Sequence, residues 1–282
     1  MSLIDRIRAC NNGHDTTDYF PFRVDEARVG WIHREFAPAL APFTEIFERG
    51  DVDISLSPEL ADYRARTDAV DAALRMIDQG GWFSGWRNEP YPVGTGFYRP
   101  PLFEMERAAV PRFGVPAYGV HINGFVRDGD RILLWIARRS DDKPTYPGML
   151  DNMIAGGQPI GIGLMENVIK EAEEEAGVPP DIAATARPVG ALSYRHEEDN
   201  TLKPDVMFIY DLELPADFEP VNTDGETAEF RLLPVEDVMQ MTADTADFKF
   251  NCSVVNIDFF IRHGILTPDD PDYVDILRGM HL

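Results

Sequence analysis

The sequence predicts an α/β chain of the α+β kind, with a mixed sheet flanked by helices over residues 115–282 and a small α+β domain ahead of it over residues 1–114. Three observations point there. One long amphipathic stretch and several short apolar runs share the first region, strand-like runs follow one another from about Tyr118, and a glycine-rich loop enters an acidic helix at residues 157–178. A length of 282 residues is enough for two ordinary cores.

Residues 1–10 form a short amphipathic pattern without the apolar core and cleavage site of a secretion signal. Residues 24–32 and 43–47 read as strands. Ser57-Pro58 reads as an N-cap with proline at the first helical position, and Leu60, Tyr63, Val70, Leu74 and Ile77 recur at helical spacing until Gly80-Gly81 stops the run. Residues 90–101, rich in proline and glycine, read as a loop. In the second region, residues 118–125 and 131–138 are strands joined by the turn Asp128-Gly129-Asp130. Further strands are expected at 191–197, 205–214 and 229–233, then a packing helix at 252–263 ending at Gly264 and a short helix after Pro268.

The formal charge of −23, from 49 acidic and 26 basic residues, excludes nucleic acid as the main partner, since phosphate backbones select basic surfaces. A small anionic substrate then requires a metal and locally placed cations. Cys10 and Cys252 are the two cysteines, far apart and in unremarkable contexts, so neither a disulfide framework nor a Cys-ligated metal site is indicated. No apolar run approaches the ~20 residues that span a bilayer. The expectation is a soluble cytoplasmic protein with no membrane partner, a homodimer being left open.

The acidic helix carries the chemistry. Glu171, Glu174 and Glu175 fall within about 100° of arc, so three carboxylates share one patch. Met165, Val168, Ile169, Ala172 and Ala176 form the adjacent apolar stripe, while Glu166, Lys170 and Glu173 point to solvent. Like charges at this spacing destabilise a helix, and a bound divalent cation removes that cost. Such oxygen clusters suit Mg²⁺ or Mn²⁺.

Residues 170–178, Lys-Glu-Ala-Glu-Glu-Glu-Ala-Gly-Val, resemble the Nudix signature Arg-Glu-apolar-x-Glu-Glu-x-Gly-apolar, and Gly156 and Gly161 match the glycines ahead of it. The resemblance implies a Nudix α/β/α sandwich and a Mg²⁺ (or Mn²⁺) cofactor. It makes Glu174 and Glu175 the principal metal ligands, and Glu171 a further ligand or the group that helps activate water. Two positions depart from the pattern: Ile162 replaces a glutamate and Lys170 an arginine. Those two side chains pair in typical members, so losing both leaves no lone charge.

The phrases at 118–124, 137–143, 146–152 and 166–177 further resemble the Nudix proteins related to the N-terminal part of some fungal thiamine pyrophosphokinases, also found as stand-alone proteins in plants and yeasts. The similarity includes the N-terminal domain, whereas the kinase half is absent. The resemblance implies hydrolysis of a small-molecule diphosphate, with thiamine diphosphate analogues such as oxo- or oxythiamine diphosphate giving a monophosphate and phosphate. Alternatives are an ADP-ribose or NADH type of Nudix hydrolase and a non-catalytic diphosphate sensor. An isopentenyl-diphosphate isomerase relative requires a site cysteine, and Cys10 and Cys252 lie outside the box and its neighbouring strands.

Arg138, Arg139 and Lys143 are candidates to clamp the diphosphate, with alternation letting only one arginine face the site and Asp141 and Asp142 available as surface partners. His121 and Asn123 share a strand face and are assigned to substrate binding together with Gly156 and Gly157. Arg195 and His196 lie near a strand end. Glu226 and Glu229 follow Asp224-Gly225, where many Nudix proteins carry an additional glutamate; Glu229 is the expected fourth carboxylate. Trp82, Trp86, Tyr91 and Phe97 can form an aromatic wall or pack in a core. Trp82 or Trp86 is expected to face the site and hold the heterocycle.

Overall fold

The computed structural model describes residues 2–281. Helix α1 (Leu3–Cys10) opens with the Asp5 carboxylate accepting the Ser2 N–H at 2.9 Å, which satisfies one of the free donors of its first turn. Strands β1 (Tyr19–Val24) and β2 (Ala27–His33) form a hairpin whose turn puts Asp25 at φ 51°. The run at 24–32 is therefore the turn and second arm of a hairpin rather than one strand. Next come α2 (Ala37–Leu40), β3 (Phe47–Arg49) and β4 (Ile54–Leu56), completing a four-stranded sheet in the order β2-β1-β4-β3. Residues 43–46 are not strand: the Ile46 N–H bonds to the Phe43 carbonyl, and the strand begins at Phe47.

Helix α3 (Tyr63–Asp78) buries Val70, Leu74 and Ile77 as its spacing requires. Its cap is Asp62, whose Oδ1 accepts the Ala65 N–H at 2.8 Å, and not Ser57, whose own N–H is engaged by the Ile46 carbonyl. The proline-rich passage begins as a strand. β5 (Pro90–Val93) pairs with β6 (Phe103–Glu106), and a 3₁₀ turn (Arg107–Ala109) leads into α4 (Val110–Phe113). Phe113 is the hub of the N-terminal core, 5.3 Å from Phe22, 5.4 Å from Phe36 and 5.8 Å from Phe47 between ring centres. Gly114 follows at φ 55°, where a Cβ would meet the Trp31 carbonyl oxygen at 2.5 Å.

The second region starts with β7 (Tyr118–Asp128) and β8 (Arg131–Arg139), turning at Gly129 as expected. It continues through β9 (Leu150–Asn152), β10 (Ile154–Gly157), α5 (Leu164–Ala176), α6 (Pro180–Ala183), β11 (Arg187–Ser193) and the hairpin of β12 (His196–Glu198) and β13 (Thr201–Lys203). It ends with β14 (Val206–Glu213), β15 (Thr227–Pro234), α7 (Val235–Asp244), α8 (Phe250–Arg262) and α9 (Tyr273–Gly279). The run expected at 191–197 is thus divided between β11 and β12.

The main sheet runs β11-β14-β7-β8-β15, with β10 on β7 and β9 on β8; β14 and β7 are parallel and the other pairs antiparallel, so the sheet is mixed. Alternation along β7 divides its side chains between two layers. Val120 and Ile122 pack with Val168, Ala172 and Ala176 of α5, while Phe125 packs with Phe259 of α8 on the other face. This is an α/β/α sandwich. Leu3, Ile4, Ile7 and Cys10 of α1 join the α8 layer rather than the N-terminal core. Among the described residues no helix is long and apolar enough to cross a membrane.

Under α8, Asp211 of β14 accepts from Asn123 at 3.0 Å and pairs with Arg262 and His263. Burial opposes its charge, yet the His263 and Arg262 hydrogen bonds hold its carboxyl below the usual range. Asp211→Asn is expected to cost about 1.5–3 kcal/mol at neutral pH, the scale of hydrogen bonds to charged groups. A depressed pKa stabilises above the unfolded value and is lost as pH falls through the folded one, so urea curves of wild type and variant should converge in acid. A gap that stays constant with pH would refute the assignment. Phe113→Ala should cost about 3–5 kcal/mol in the same measurement, as expected for a large ring removed from a packed core; a loss below about 1 kcal/mol would show that Phe113 is not its hub.

Candidate active site

The glycine-rich loop is fastened at both ends of its turn. The Gln158 side-chain amide donates to the Ile162 carbonyl at 2.9 Å, and that of Asn167, buried on α5, donates to the Gly157 carbonyl at 2.9 Å. Gly161 sits at φ 92°, open to glycine and strained for other residues. Beneath the loop, α5 turns two carboxyls onto β10. Glu175 is buried, with Oε2 accepting the Ala155 N–H at 2.8 Å. Glu171 lies over Gly156 so closely that a Cβ there would overlap its carboxyl. Glu174, half exposed, completes the patch.

Glu166 and Glu173 are exposed, as the helical spacing requires. Lys170 is exposed too, but its ammonium does not extend into solvent: it lies 3.0 Å from Glu171 and 2.7 Å from Glu174, the long stem curling back over the patch. Burial raises the pKa of Glu171, and Glu174 raises it further against the pull of Lys170. Burial likewise pushes Glu175 well up despite the Ala155 N–H, with Glu171 and Asp151 adding to the shift. Opposite Glu175, burial and then Arg139 lower the pKa of Lys143. The acids oppose one another's ionisation and the two lysines offset only part of this, so an oxygen-only donor set fits a hard divalent cation.

Of the two candidates for a fourth carboxylate, the structure brings Glu226 and not Glu229 beside Glu175. Glu226 pairs with Lys143 and lines a narrow cleft with Glu175 and Ala155, whereas Glu229 is exposed and bonded to Arg231 at 2.7 Å. In the register of β15 on β8, Glu229 stands opposite the outward-facing Arg138. Alternation separates the two arginines as expected, and each is engaged by neighbours within the chain. Arg138 faces outward onto Asp141 at 2.7 Å, and Arg139 is locked by Asp151 at 2.9 Å and by the Thr145 and Tyr146 carbonyls.

Asn123, expected at the substrate, is closed into the Asp211 network beneath α8. His121 does border a cleft; its Nδ1 lies 2.9 Å from Asn152 Oδ1, and burial lowers its pKa to about 4, leaving a neutral imidazole. Trp82 packs on Phe36 at 5.2 Å and Trp86 near Phe83 at 6.3 Å, both against the N-terminal core, while Trp82 also lines a cleft with Tyr146 and Lys203. Arg195 lies over Trp31 and His196 stacks on Phe250 at 3.8 Å. Cys252 has a less ordinary setting than its sequence context suggests. It lies with His121 and Asp151 in a buried trio whose ligand atoms are within 4.8 Å of one another. Each member is already hydrogen-bonded, Cys252 to Asp151 at 2.7 Å, and burial pushes its thiol well above the usual range.

Two clefts flank Tyr118. The first, about 220 Å³, has Phe97, Tyr98, Ile160 and Ile162 among its walls, which gives the residue replacing the signature glutamate an apolar role. The second, about 230 Å³, runs from Gly156 and Gly157 toward α8 between the N-terminal domain and the sheet. Tyr91 and Arg107 form one side; Tyr146, Lys203, Lys249 and Phe250 form the other. Tyr91 and Phe97 thus line clefts, as the aromatic-wall reading allowed. Arg107, Lys203 and Lys249 were not anticipated, since no local spacing marks a cation brought in from a distant element.

A family model described as NUDIX domain matches residues 117–253, and one described as domain of unknown function (DUF4743) matches residues 2–117. Nudix hydrolase 20, chloroplastic, of Arabidopsis thaliana is 44% identical over 289 residues, covering 99% of this chain and 77% of that protein. Nudix hydrolase 24, chloroplastic, of the same plant is 43% identical over 282 residues, with coverage of 99% and 77%. An uncharacterized protein of Saccharomyces cerevisiae is 33% identical over 257 residues, with coverage of 85% and 74%. Similarity of this extent runs through both regions and through the glutamate helix alike, and the chain belongs to the Nudix hydrolases, enzymes that act on diphosphate bonds.

Proposed function

We propose that this protein is a metal-dependent diphosphohydrolase acting on thiamine diphosphate analogues, oxidised forms such as oxo- or oxythiamine diphosphate, with a monophosphate and phosphate as products. The observation that carries the hydrolytic part is the pair of α5 carboxyls, Glu171 and Glu175, held on the backbone of β10, whose Ala155 and Gly156 also line a cleft with cations and aromatic rings. The substrate class is supported by the resemblance of the phrases at 118–124, 137–143 and 146–152; Tyr118, Gly119 and His121 of the first and Tyr146 of the last line that cleft. Its volume also supports it: about 230 Å³ is below the range of about 300–1,000 Å³ usual for drug-sized ligands, which suits one small heterocyclic head better than a dinucleotide.

Glu174 and Glu175 are the principal ligands for Mg²⁺ or Mn²⁺, and Glu171 is a further ligand or the acceptor of the water proton. Glu226 takes the place expected for Glu229. The cation, when bound, neutralises diphosphate oxygens and acidifies water. The residues of the chain do the positioning: Gly156 lets the Glu171 carboxyl lie against the backbone of β10, and Lys143 balances the Glu175–Glu226 side. Phosphate release from oxythiamine diphosphate, thiamine diphosphate, ADP-ribose and NADH, with product identification, tests the reading. Preference for either of the last two would overturn the substrate class, and inactivity toward all four would overturn the reaction.

Glu174→Gln and Glu175→Gln should each lower turnover about 100-fold or more, at least the scale at which loss of a ligand's orienting partner acts. The amide at 175 can still accept the Ala155 N–H, so thermal unfolding should change little. Near wild-type turnover at limiting Mg²⁺ in both variants would remove these residues from the site. Glu226→Gln should reduce turnover while Glu229→Gln leaves it within about twofold, as for an exposed position away from chemistry. The reverse ranking would restore Glu229.

A further inference from the structure

We infer that the N-terminal domain forms one wall of the ligand site: Arg107 binds the anionic group of a ligand whose flat ring lies deeper in the cleft, beside Tyr146 and Phe250. This rests on the diphosphohydrolase reading for the identity of the anion, and on the geometry of the cleft for the rest.

Arg107 is held where a ligand-binding arginine must be held. Its backbone N–H bonds to the Glu89 carbonyl at 2.9 Å, its guanidinium bonds to the Glu89 carboxylate at 2.9 Å, and it lies over the Tyr91 ring at 5.6 Å. One of its faces is thereby fixed while the fork keeps further donors for a phosphate. Gly157 shows how close this group comes to the box. A Cβ on that residue would lie 3.4 Å from the guanidinium carbon and would overlap the Tyr91 hydroxyl. The preceding residue, Gly156, is the one that makes room for Glu171. Two successive glycines therefore admit, from two directions, the hydrolytic carboxylate and an arginine contributed by another domain.

The opposite wall is built for a ring with polar edges. Tyr146 and Phe250 have ring centres 5.6 Å apart. The Lys203 ammonium is 2.7 Å from the Tyr146 hydroxyl and 2.8 Å from Glu198. Lys249 differs: among the described residues its ammonium has no ion-pair partner, and it lies 5.8 Å from the Tyr146 ring. Its charge acts on the Asp151 and Asp205 carboxyls from a distance, while its N–H donors remain available to an acceptor in the cleft. Asp205, buried at the same cleft, accepts from the Ala117 N–H at 3.1 Å and the Tyr194 hydroxyl at 3.0 Å, and keeps lone pairs for a ring donor. Cations at both ends, rings between them and one carboxylate describe a heteroaromatic compound carrying a diphosphate.

The test compares wild type, Arg107→Met, Arg107→Lys and Lys249→Met, each confirmed by thermal unfolding, on oxythiamine diphosphate with Mg²⁺. Arg107→Met and Lys249→Met should each raise KM about tenfold or more while kcat changes less, the size of one charged hydrogen bond, and Arg107→Lys should recover part of the loss. Unchanged KM in the folded variants would overturn the inference. Calorimetric titration of the same proteins with oxythiamine diphosphate separates this from the reaction itself. If wild type binds without turnover, the diphosphohydrolase reading fails, and weaker binding to Arg107→Met still upholds the site. Equal binding to wild type and both Met variants removes it.

Discussion

Glu171 and Glu175 stand one helical turn apart on α5 with their carboxyls pressed onto the backbone of β10, and much of the molecule is arranged around that contact. β10 pairs on one side only, with β7, so its outward N–H groups need another partner, and Glu175 provides one at Ala155. The closeness of Glu171 leaves no room for a side chain at Gly156. The loop that follows must then turn sharply into the helix, which Gly161 permits and the Gln158 and Asn167 amides secure. Val168, Ala172 and Ala176 on the underside fix the rotation of the helix about its axis, and with it the direction of both acids.

The contact is electrostatically expensive. Two unit charges 4 Å apart interact by about 4 kcal/mol at the effective dielectric typical near a protein surface, so neighbouring carboxylates in a half-buried patch repel by more than an ordinary hydrogen bond returns. Lys170 and Lys143 offset part of this from the two sides of the patch. Both are lysines, flexible point charges that can swing away when a stronger cation arrives. The arginine of the usual signature would bind its partners in a stiffer fork, and the signature glutamate that would have held it is here Ile162, facing an apolar cleft.

What was legible in the sequence was local. The period of α5 gave the direction of its acids, and the alternation along β7 and β8 gave their faces, because both follow from backbone geometry alone. Errors came where a partner far along the chain decides. Ser57 has the residue type of a cap, but Ile46 occupies its N–H, and Asp62 caps α3 instead. Glu226 and Glu229 are equivalent by composition until Lys143 meets the first and Arg231 the second. Trp82 and Trp86 carry large apolar rings, and nothing in their spacing tells a core from a ligand wall; both pack against the N-terminal core, and Trp82 borders a cleft as well. Arg107, Lys203 and Lys249 come from three separate elements that meet only after the sheet and the N-terminal domain have come together.

The placement of α1 has a consequence for how the chain is made. Ile7 meets Gly279 so closely that a Cβ there would overlap it, and Asn11 donates to the Gly279 carbonyl at 2.6 Å. Helix α1 thus has its partners far along the sequence, in α7, α8 and α9. At about 5–20 residues per second, the roughly 240 residues between Cys10 and Phe250 take about 10–50 s to synthesise. During that interval the amphipathic stripe of α1 lacks the helices that cover it in the native fold. Docking of α1 is therefore a late event in the molecule's assembly, and an eight-residue helix is the piece on which it turns.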